Sequence, residues 1–407
     1  MTQTLISFLG RVAKSENGYR PTIYTFDGEP DEPTAFIGWS LRRRLQPDRL
    51  VILGTAGSMW DHLFEKDIVL GTEAEDERLA LQDATETKTV TEALLEPLTP
   101  LLAQRLDCEV RLVVIPYCRT ETEQLELLRI MAAEVTPGEE VHLDVTHGFR
   151  HLPMLALLSA LHLREVKKAK IVGIWYGAYD FDTKESPVYN LAGLLRIADW
   201  VGALNAFDKD GDYSVFADRL DQDGLSTIDT NYLRRAAFYE RTSNPRDARK
   251  QLANFDKVLA RGLPSVSALF AGQLHTRLKW YRGDNLFTNQ SDLATFYRKR
   301  GDYIRTAIFA YEAFVTSLID YEAGEREDNY KDREIAFKAY EKGERGVQRL
   351  KSDYWLLKNL RNTLAHGNEP DDDRDSRDRR LPGIIADEER LSRELERLIQ
   401  MIRTIRG

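Results

Sequence analysis

Cysteine is nearly absent: Cys108 and Cys118 are the only two in 407 residues, too few for a disulfide framework and without the companion ligands of a zinc site. A basic excess is lacking as well. Lys and Arg number 57 against 66 Asp and Glu, a net charge of −9, so bulk electrostatics does not hold a long nucleic-acid duplex. An enzyme needs only a few local cations beside one phosphate, so a nucleic-acid substrate stays open. No apolar run reaches the ~20 residues of a bilayer span; the stretch Leu152 to Leu163 is broken by Pro153, Ser159 and His162. Met1 to Gly10 has neither a basic flank nor a small-residue cleavage site, which predicts a cytoplasmic protein. No H-E-x-x-H occurs, no G-x-G-x-x-G follows a strand, and no Gly-Lys-Ser/Thr completes a Walker loop. Zinc hydrolysis, dinucleotide redox chemistry and nucleoside triphosphate hydrolysis therefore lose support, and neither metal nor cofactor is expected.

What is present is a chain of two characters. Hydrophobic residues make up 42% and charged residues 30%, a globular balance, and the length allows two or three domains. Up to about residue 190, short apolar runs at Leu5 to Leu9, Pro21 to Phe26, Leu50 to Leu53, Val110 to Ile115, Val141 to Asp144 and Ile171 to Tyr176 mostly alternate with helix-length segments. That alternation predicts an α/β sheet of mostly parallel strands. Beyond Asn190 helical periodicity takes over, as in Ile304, Ile308, Tyr311, Val315 and Leu318, or Leu391, Leu395, Leu398, Ile402 and Ile405, which predicts an all-α second half. The reading divides the chain into a sheet domain over 1–190, a helical connecting region over 191–295 and a helical catalytic domain over 296–407.

Ligands of parallel sheets bind beyond the carboxyl ends of the strands. Three polar loops fall there: Gly10-Arg11, Gly54-Thr55-Ala56-Gly57-Ser58, and Asp144-Val145-Thr146-His147-Gly148-Phe149-Arg150. Thr55 and Ser58 suit a phosphate or ribose, or simply close a tight turn. Thr146, His147, Arg150 and His151 precede the helix beginning near Leu152, where unpaired backbone N–H groups favour an anion; a capping turn explains the same residues. A second constellation lies on a helix expected from Ser352 to Gly367: Arg361, Asn362 and His366. RNA carries its own nucleophile, the 2′-hydroxyl, so a His for proton transfer and an Arg for the developing charge can cut it without metal. The plainer alternative is a C-cap histidine beside a surface arginine. The charge run Asp371 to Arg380 reads as a solvated loop, or as a flap placing Arg377, Arg379 and Arg380 on phosphate.

Together these segments resemble a known family. Leu-Ile-Ser-Phe-Leu-Gly at 5–10, Ile-Leu-Gly-Thr at 52–55 and Asp-Val-Thr-His-Gly-Phe-Arg-His-Leu-Pro at 144–153 resemble the CRISPR-associated Rossmann fold (CARF) domain. Arg361 to His366 resembles the HEPN ribonuclease motif. The combination is similar to the CARF-HEPN ancillary ribonucleases of type III CRISPR systems. The resemblance implies a Rossmann-like N-terminal domain, a helical HEPN domain and a homodimer. It further implies activation by cyclic tetra-adenylate, favoured over cyclic hexa-adenylate, and cleavage of single-stranded RNA to 2′,3′-cyclic phosphate and 5′-hydroxyl ends. By the same resemblance Gly10, Arg11, Thr55, Ser58, Thr146, His147, Gly148, Arg150 and His151 would face the cyclic ligand, with Thr146 or His147 assisting a slow cleavage of it, and Arg361, Asn362 and His366 would face RNA. A dimeric sensor and regulator without nuclease activity is the alternative.

Overall fold

The computed structural model describes residues 2–15, 18–65, 74–147, 152–180, 182–367 and 380–405. The chain divides into two compact units, Met1–Leu195 and Arg196–Gly407.

The first unit is built on an eight-stranded sheet: β1 (Gln3–Leu9), β2 (Ile23–Phe26), β3 (Glu29–Pro30), β4 (Arg49–Gly54), β5 (Glu109–Val114), β6 (Glu140–Asp144), β7 (Lys170–Gly177) and β8 (Glu185–Asn190). Their order across the sheet is β3-β2-β8-β7-β6-β1-β4-β5. The pairs β5/β4, β4/β1, β1/β6 and β6/β7 are all parallel, so these five strands run 3-2-1-4-5 by chain order, five of the six strands of a doubly wound Rossmann sheet. Beyond β7 the sheet becomes mixed, with β8 antiparallel to β7 and β2 antiparallel to β3. Helices α1 (Ile37–Leu45), α2 (Glu75–Thr87), α3 (Glu92–Leu95), α4 (Thr99–Leu106), α5 (Glu121–Ala133) and α6 (Leu152–Val166) connect the strands.

Burial on both faces explains why β1 and β4 read as continuous apolar runs. Leu5, Leu9, Leu50 and Ile52 point into one core with Trp39, Leu81 and Leu102 of α1, α2 and α4. Their neighbours Ile6, Phe8, Val51 and Leu53 point into the other, with Leu127 of α5 and Ala160 of α6. A sheet sandwiched between helix layers follows, and its strand ends are the part left for ligands.

The second unit is all helical: α7 (Gly193–Asp210), which enters it from the first, α8 (Ser214–Gln222), α9 (Thr227–Arg241), α10 (Pro245–Ala260), α11 (Ala271–Arg277), α12 (Leu286–Arg298), α13 (Tyr303–Ser317), α14 (Tyr330–Lys342), α15 (Lys351–His366), α16 (Leu381–Ile385) and α17 (Glu388–Arg403). Helices on both sides of residue 295 share one core, running from Trp200 and Phe216 through Leu293 and Phe314 to Leu360 and Ile402. The polar segment Gly283-Asp284-Asn285 marks a cap within this core: the Asn285 side chain accepts from the Thr288 N–H at 2.9 Å and starts α12. No helix among the described residues is long and apolar enough to cross a membrane.

Candidate functional site

In the first unit the strand order changes direction at β1, between β6 and β4, and that reversal opens a crevice at the carboxyl edge. A cavity of about 450 Å³ lies there, lined by Phe8 and Leu9 of β1 and Gly10 and Arg11 after it, by Leu53, Thr55, Gly57 and Ser58 at the end of β4, by Ile115, Tyr117 and Arg119 after β5, and by Lys88. Among the described residues three cations and no carboxylate line it, which in a low-dielectric recess selects an anion.

Local hydrogen bonding fixes this lining. The Thr55 N–H donates to Ser58 Oγ at 2.9 Å, the Trp60 indole N–H donates to the Thr55 carbonyl at 2.8 Å, and the Met59 N–H donates to the Gly10 carbonyl at 2.9 Å. Arg11 is oriented by the Thr85 carbonyl near the end of α2, at 3.1 Å. Lys88 is the left-handed residue that ends the same helix. Arg119 stacks on the Tyr117 ring at 4.8 Å, just ahead of α5, which Thr120 caps. Gly57 keeps the floor open: a Cβ there would lie 2.9 Å from Tyr117 Oη and 3.5 Å from Lys88 Cγ.

Of the residues expected to face the ligand, Gly10, Arg11, Thr55 and Ser58 come together around this cavity. Thr146 and His147 do not line it. Thr146 Oγ1 accepts from the Gly177 N–H at 2.8 Å, tying the β6 loop to the end of β7. His147 Nε2 lies 3.1 Å from the Tyr24 hydroxyl and accepts from the Ile37 N–H at 3.5 Å, at the start of α1. Burial lowers its pKa to about 4, so it is a neutral acceptor there. Asp144 is fully buried and anchors the turn, accepting from Ser7 Oγ at 2.5 Å and from the Thr146 N–H at 2.9 Å. Desolvation nevertheless pushes its carboxyl up to about 6. Gly148, Arg150 and His151 lie outside the described residues.

Sequence reading missed Lys88, Tyr117 and Arg119. A signal existed for two of them: Pro116-Tyr117-Cys118-Arg119 directly follows the strand ending at Ile115, the same position relative to β5 as Gly10-Arg11 to β1. Lys88 arrives from a helix end and has no such marker.

In the second unit, α15 carries Arg361, Asn362 and His366. The helix is held by a cluster of Tyr311, Phe314, Tyr340 and Tyr354 rings and ends at Gly367, whose φ of 64° closes it by donating to the Thr363 carbonyl at 2.9 Å. The Arg361 guanidinium sits over the Tyr311 ring, 4.6 Å from its centroid, which restrains it by cation–π attraction. Asn362 is half-buried, and His366 is the exposed last residue of the helix. Ideal helix geometry puts Arg361 and His366 about 7.5 Å apart in rise and ~140° apart in rotation. One turn earlier, Lys358 Nζ and the Tyr354 hydroxyl both donate to Glu341 Oε1, at 2.6 and 2.7 Å. Arg377 and Arg379 lie outside the described residues, while Arg380 is exposed at the start of α16.

Residues 4–180 match the CARF domain of CRISPR system endoribonuclease Csx1. The CRISPR-associated protein MJ1674 of Methanocaldococcus jannaschii is 24% identical over 282 residues, which are 60% of this chain and 44% of that protein. The match thus spans less than half the length of the relative. The strand order, the cation-lined edge cavity and the family match agree: the chain carries an amino-terminal CARF domain, similar over residues 4–180 to that of Csx1.

Proposed function

We propose that this protein is a ribonuclease of type III CRISPR defence that cyclic oligoadenylate switches on. The observation that carries the reading is the carboxylate-free cavity with Arg11, Lys88 and Arg119 on the switch-point edge of a CARF domain. A cyclic oligoadenylate presents phosphodiesters to the cations and adenine faces to Tyr117. Its rotational symmetry lets the same loops of two copies bind one ring, so a homodimer is the natural receptor. Activation is then a shift between dimer states, with the ring bound more tightly by the active one.

The chemistry is assigned to α15. The RNA 2′-oxygen bonds to the adjacent phosphorus as its proton passes to a base, and the P–O5′ bond breaks as O5′ takes up a proton, leaving a 2′,3′-cyclic phosphate and a 5′-hydroxyl. Two copies of His366 supply base and acid, Arg361 offsets the charge developing on the non-bridging oxygens, and Asn362 orients the phosphate. No step needs a metal. A second reading, a CARF regulator without nuclease activity, is favoured by one observation: Arg361 already has a packing role over Tyr311.

The test is cleavage of a labelled single-stranded RNA in EDTA, with and without cyclic tetra-adenylate, by wild type, Arg361→Ala and His366→Ala. Ligand-dependent cutting that falls at least about a hundredfold in either variant, with ligand binding intact, is expected. Cutting that survives both substitutions overturns the assignment to α15, and no cutting with either the tetra- or the hexa-adenylate moves the protein to the regulator.

A further inference from the structure

A groove in the second unit has a chemistry that neither the CARF cavity nor α15 accounts for. It has a volume of about 790 Å³ and is lined by Arg277, Lys279, Arg282, Lys299, Arg300 and Arg403, with the aromatic rings of Trp280 and Phe296 among them. Asp292 is its one lining carboxylate among the described residues. In a chain of net charge −9, six cations on one concave surface are a local reversal of sign.

The cations are of two kinds. Four are fixed: Arg277 grips Asp208 with two bonds of 2.9 and 2.6 Å, Arg282 pairs with Asp256 at 3.0 Å, Arg403 pairs with Asp292 at 2.7 Å, and Arg300 lies flat on Phe296, 3.4 Å from the ring centroid. Burial lowers the pKa of Arg300, yet a guanidinium stays charged. The other two, Lys279 and Lys299, are exposed and have no carboxylate within ion-pair distance among the described residues. Counting Asp208, Asp256 and Asp292 as the partners, six cations face three carboxylates, a net excess of three. The Trp280 side chain, only 6% exposed, forms part of the groove wall beneath these cations.

Preorganised guanidinium groups with exposed, unpaired lysines beside them suit a single-stranded nucleic acid, whose backbone offers repeated phosphates to a positively charged groove whatever its sequence. We propose that this groove is an RNA-binding exosite that holds the single-stranded substrate outside the cutting site. The inference rests on the ribonuclease reading for the identity of the substrate, and deepens it by naming where the strand is held.

The test uses the full chain and a labelled 20-nucleotide 2′-O-methyl RNA, which has no nucleophile, so binding is read without cleavage. Lys279→Glu/Lys299→Glu is the variant of choice because both side chains are exposed, and an unchanged melting temperature verifies folding. Affinity is expected to fall at least about tenfold, and the slope of log affinity against log salt by about 1.4, at ~0.7 per lost phosphate contact. With cleavable RNA and activator, KM rises about as much while kcat holds. Unchanged affinity and KM overturn the exosite and leave the ribonuclease reading standing. Loss of binding in a protein that cuts nothing keeps the groove and removes the ribonuclease reading. Full displacement of the RNA by AMP makes this a mononucleotide pocket, and loss of poly-glutamate binding with RNA binding retained makes it a dock for an acidic protein segment; either overturns the proposal.

Discussion

At the residue scale, buried ionisable groups decide what pH does to this molecule. Glu240 of α9 is 2% exposed and accepts hydrogen bonds from the Tyr213 hydroxyl at 2.8 Å and from the Tyr297 hydroxyl. Desolvation outweighs these bonds and the attraction of Arg305, and pushes the carboxyl from 4.5 up to about 7. The folded state therefore holds a proton that the unfolded chain has released, so the contribution to stability is complete below about pH 4.5 and is lost as pH rises through about 7. Glu240→Gln keeps the neutral form at every pH, donating to one tyrosine oxygen and accepting from the other. Melting curves should show the variant above wild type at about pH 8 and level with it at about pH 5; a variant less stable at both would mean that the carboxylate itself is needed. Nothing in the sequence sets Glu240 apart from the other acidic residues, because its environment is made by Tyr213 and Tyr297 arriving from other elements. Gly10, Arg11, Thr55 and Ser58 were legible for the opposite reason: each directly follows a strand, and parallel strands bring their carboxyl ends to one edge.

At the scale of elements, what could be read depended on how many sides of an element are buried. Strands β1 and β4, covered on both faces, announce themselves by unbroken apolar runs, whereas β8, Glu-Ser-Pro-Val-Tyr-Asn, carries Pro187 and polar ends and is found only by its pairing with β7 and β2. Helix α17 shows its stripe plainly, with Leu391, Leu395, Leu398 and Ile402 all buried. Helix α13 shows it only in part: Tyr311, Val315 and Leu318 of the expected stripe are buried but Ile304 is exposed, and Thr306, Ala307, Phe309, Ala310, Ala313 and Phe314 are buried as well. It packs against α12, α14, α15 and α17, and a helix enclosed on several sides needs no single apolar face. Helix α15 depends on that packing to present Arg361 and His366. Leu360, fully buried beside Arg361, is its anchor, and Leu360→Ala should destabilise the protein by about 2–5 kcal/mol through lost burial and a cavity. The measurement is the urea midpoint of the helical signal; a loss well under about 1 kcal/mol would show that α15 is held from elsewhere.

At the scale of the whole molecule, the two cationic recesses stand against an acidic chain, and on the proposed function the charge arithmetic predicts how many copies share one ring. A cyclic tetra-adenylate carries four phosphodiester charges, and the CARF cavity of a single chain offers Arg11, Lys88 and Arg119. One chain alone leaves a phosphate without a cation, while two copies related by a two-fold axis present each cation twice to a ring that repeats its own phosphates. Calorimetric titration should therefore give one ring for every two chains, and light scattering should find the dimer that this ratio requires. The ring should also raise the melting temperature, because a ligand that binds only the folded state stabilises it by mass action. Gly57→Leu supplies the control. Its side chain would grow into the cavity floor between Tyr117 and Lys88, so the variant should keep the fold and the dimer while losing the heat of binding and the rise in melting temperature. A ratio of one ring per chain would place the ligand wholly within each copy and remove the shared-ring basis for switching. Undiminished binding by Gly57→Leu would move the activator along this edge of the sheet, away from β4 and β5 and toward the segment that follows β6.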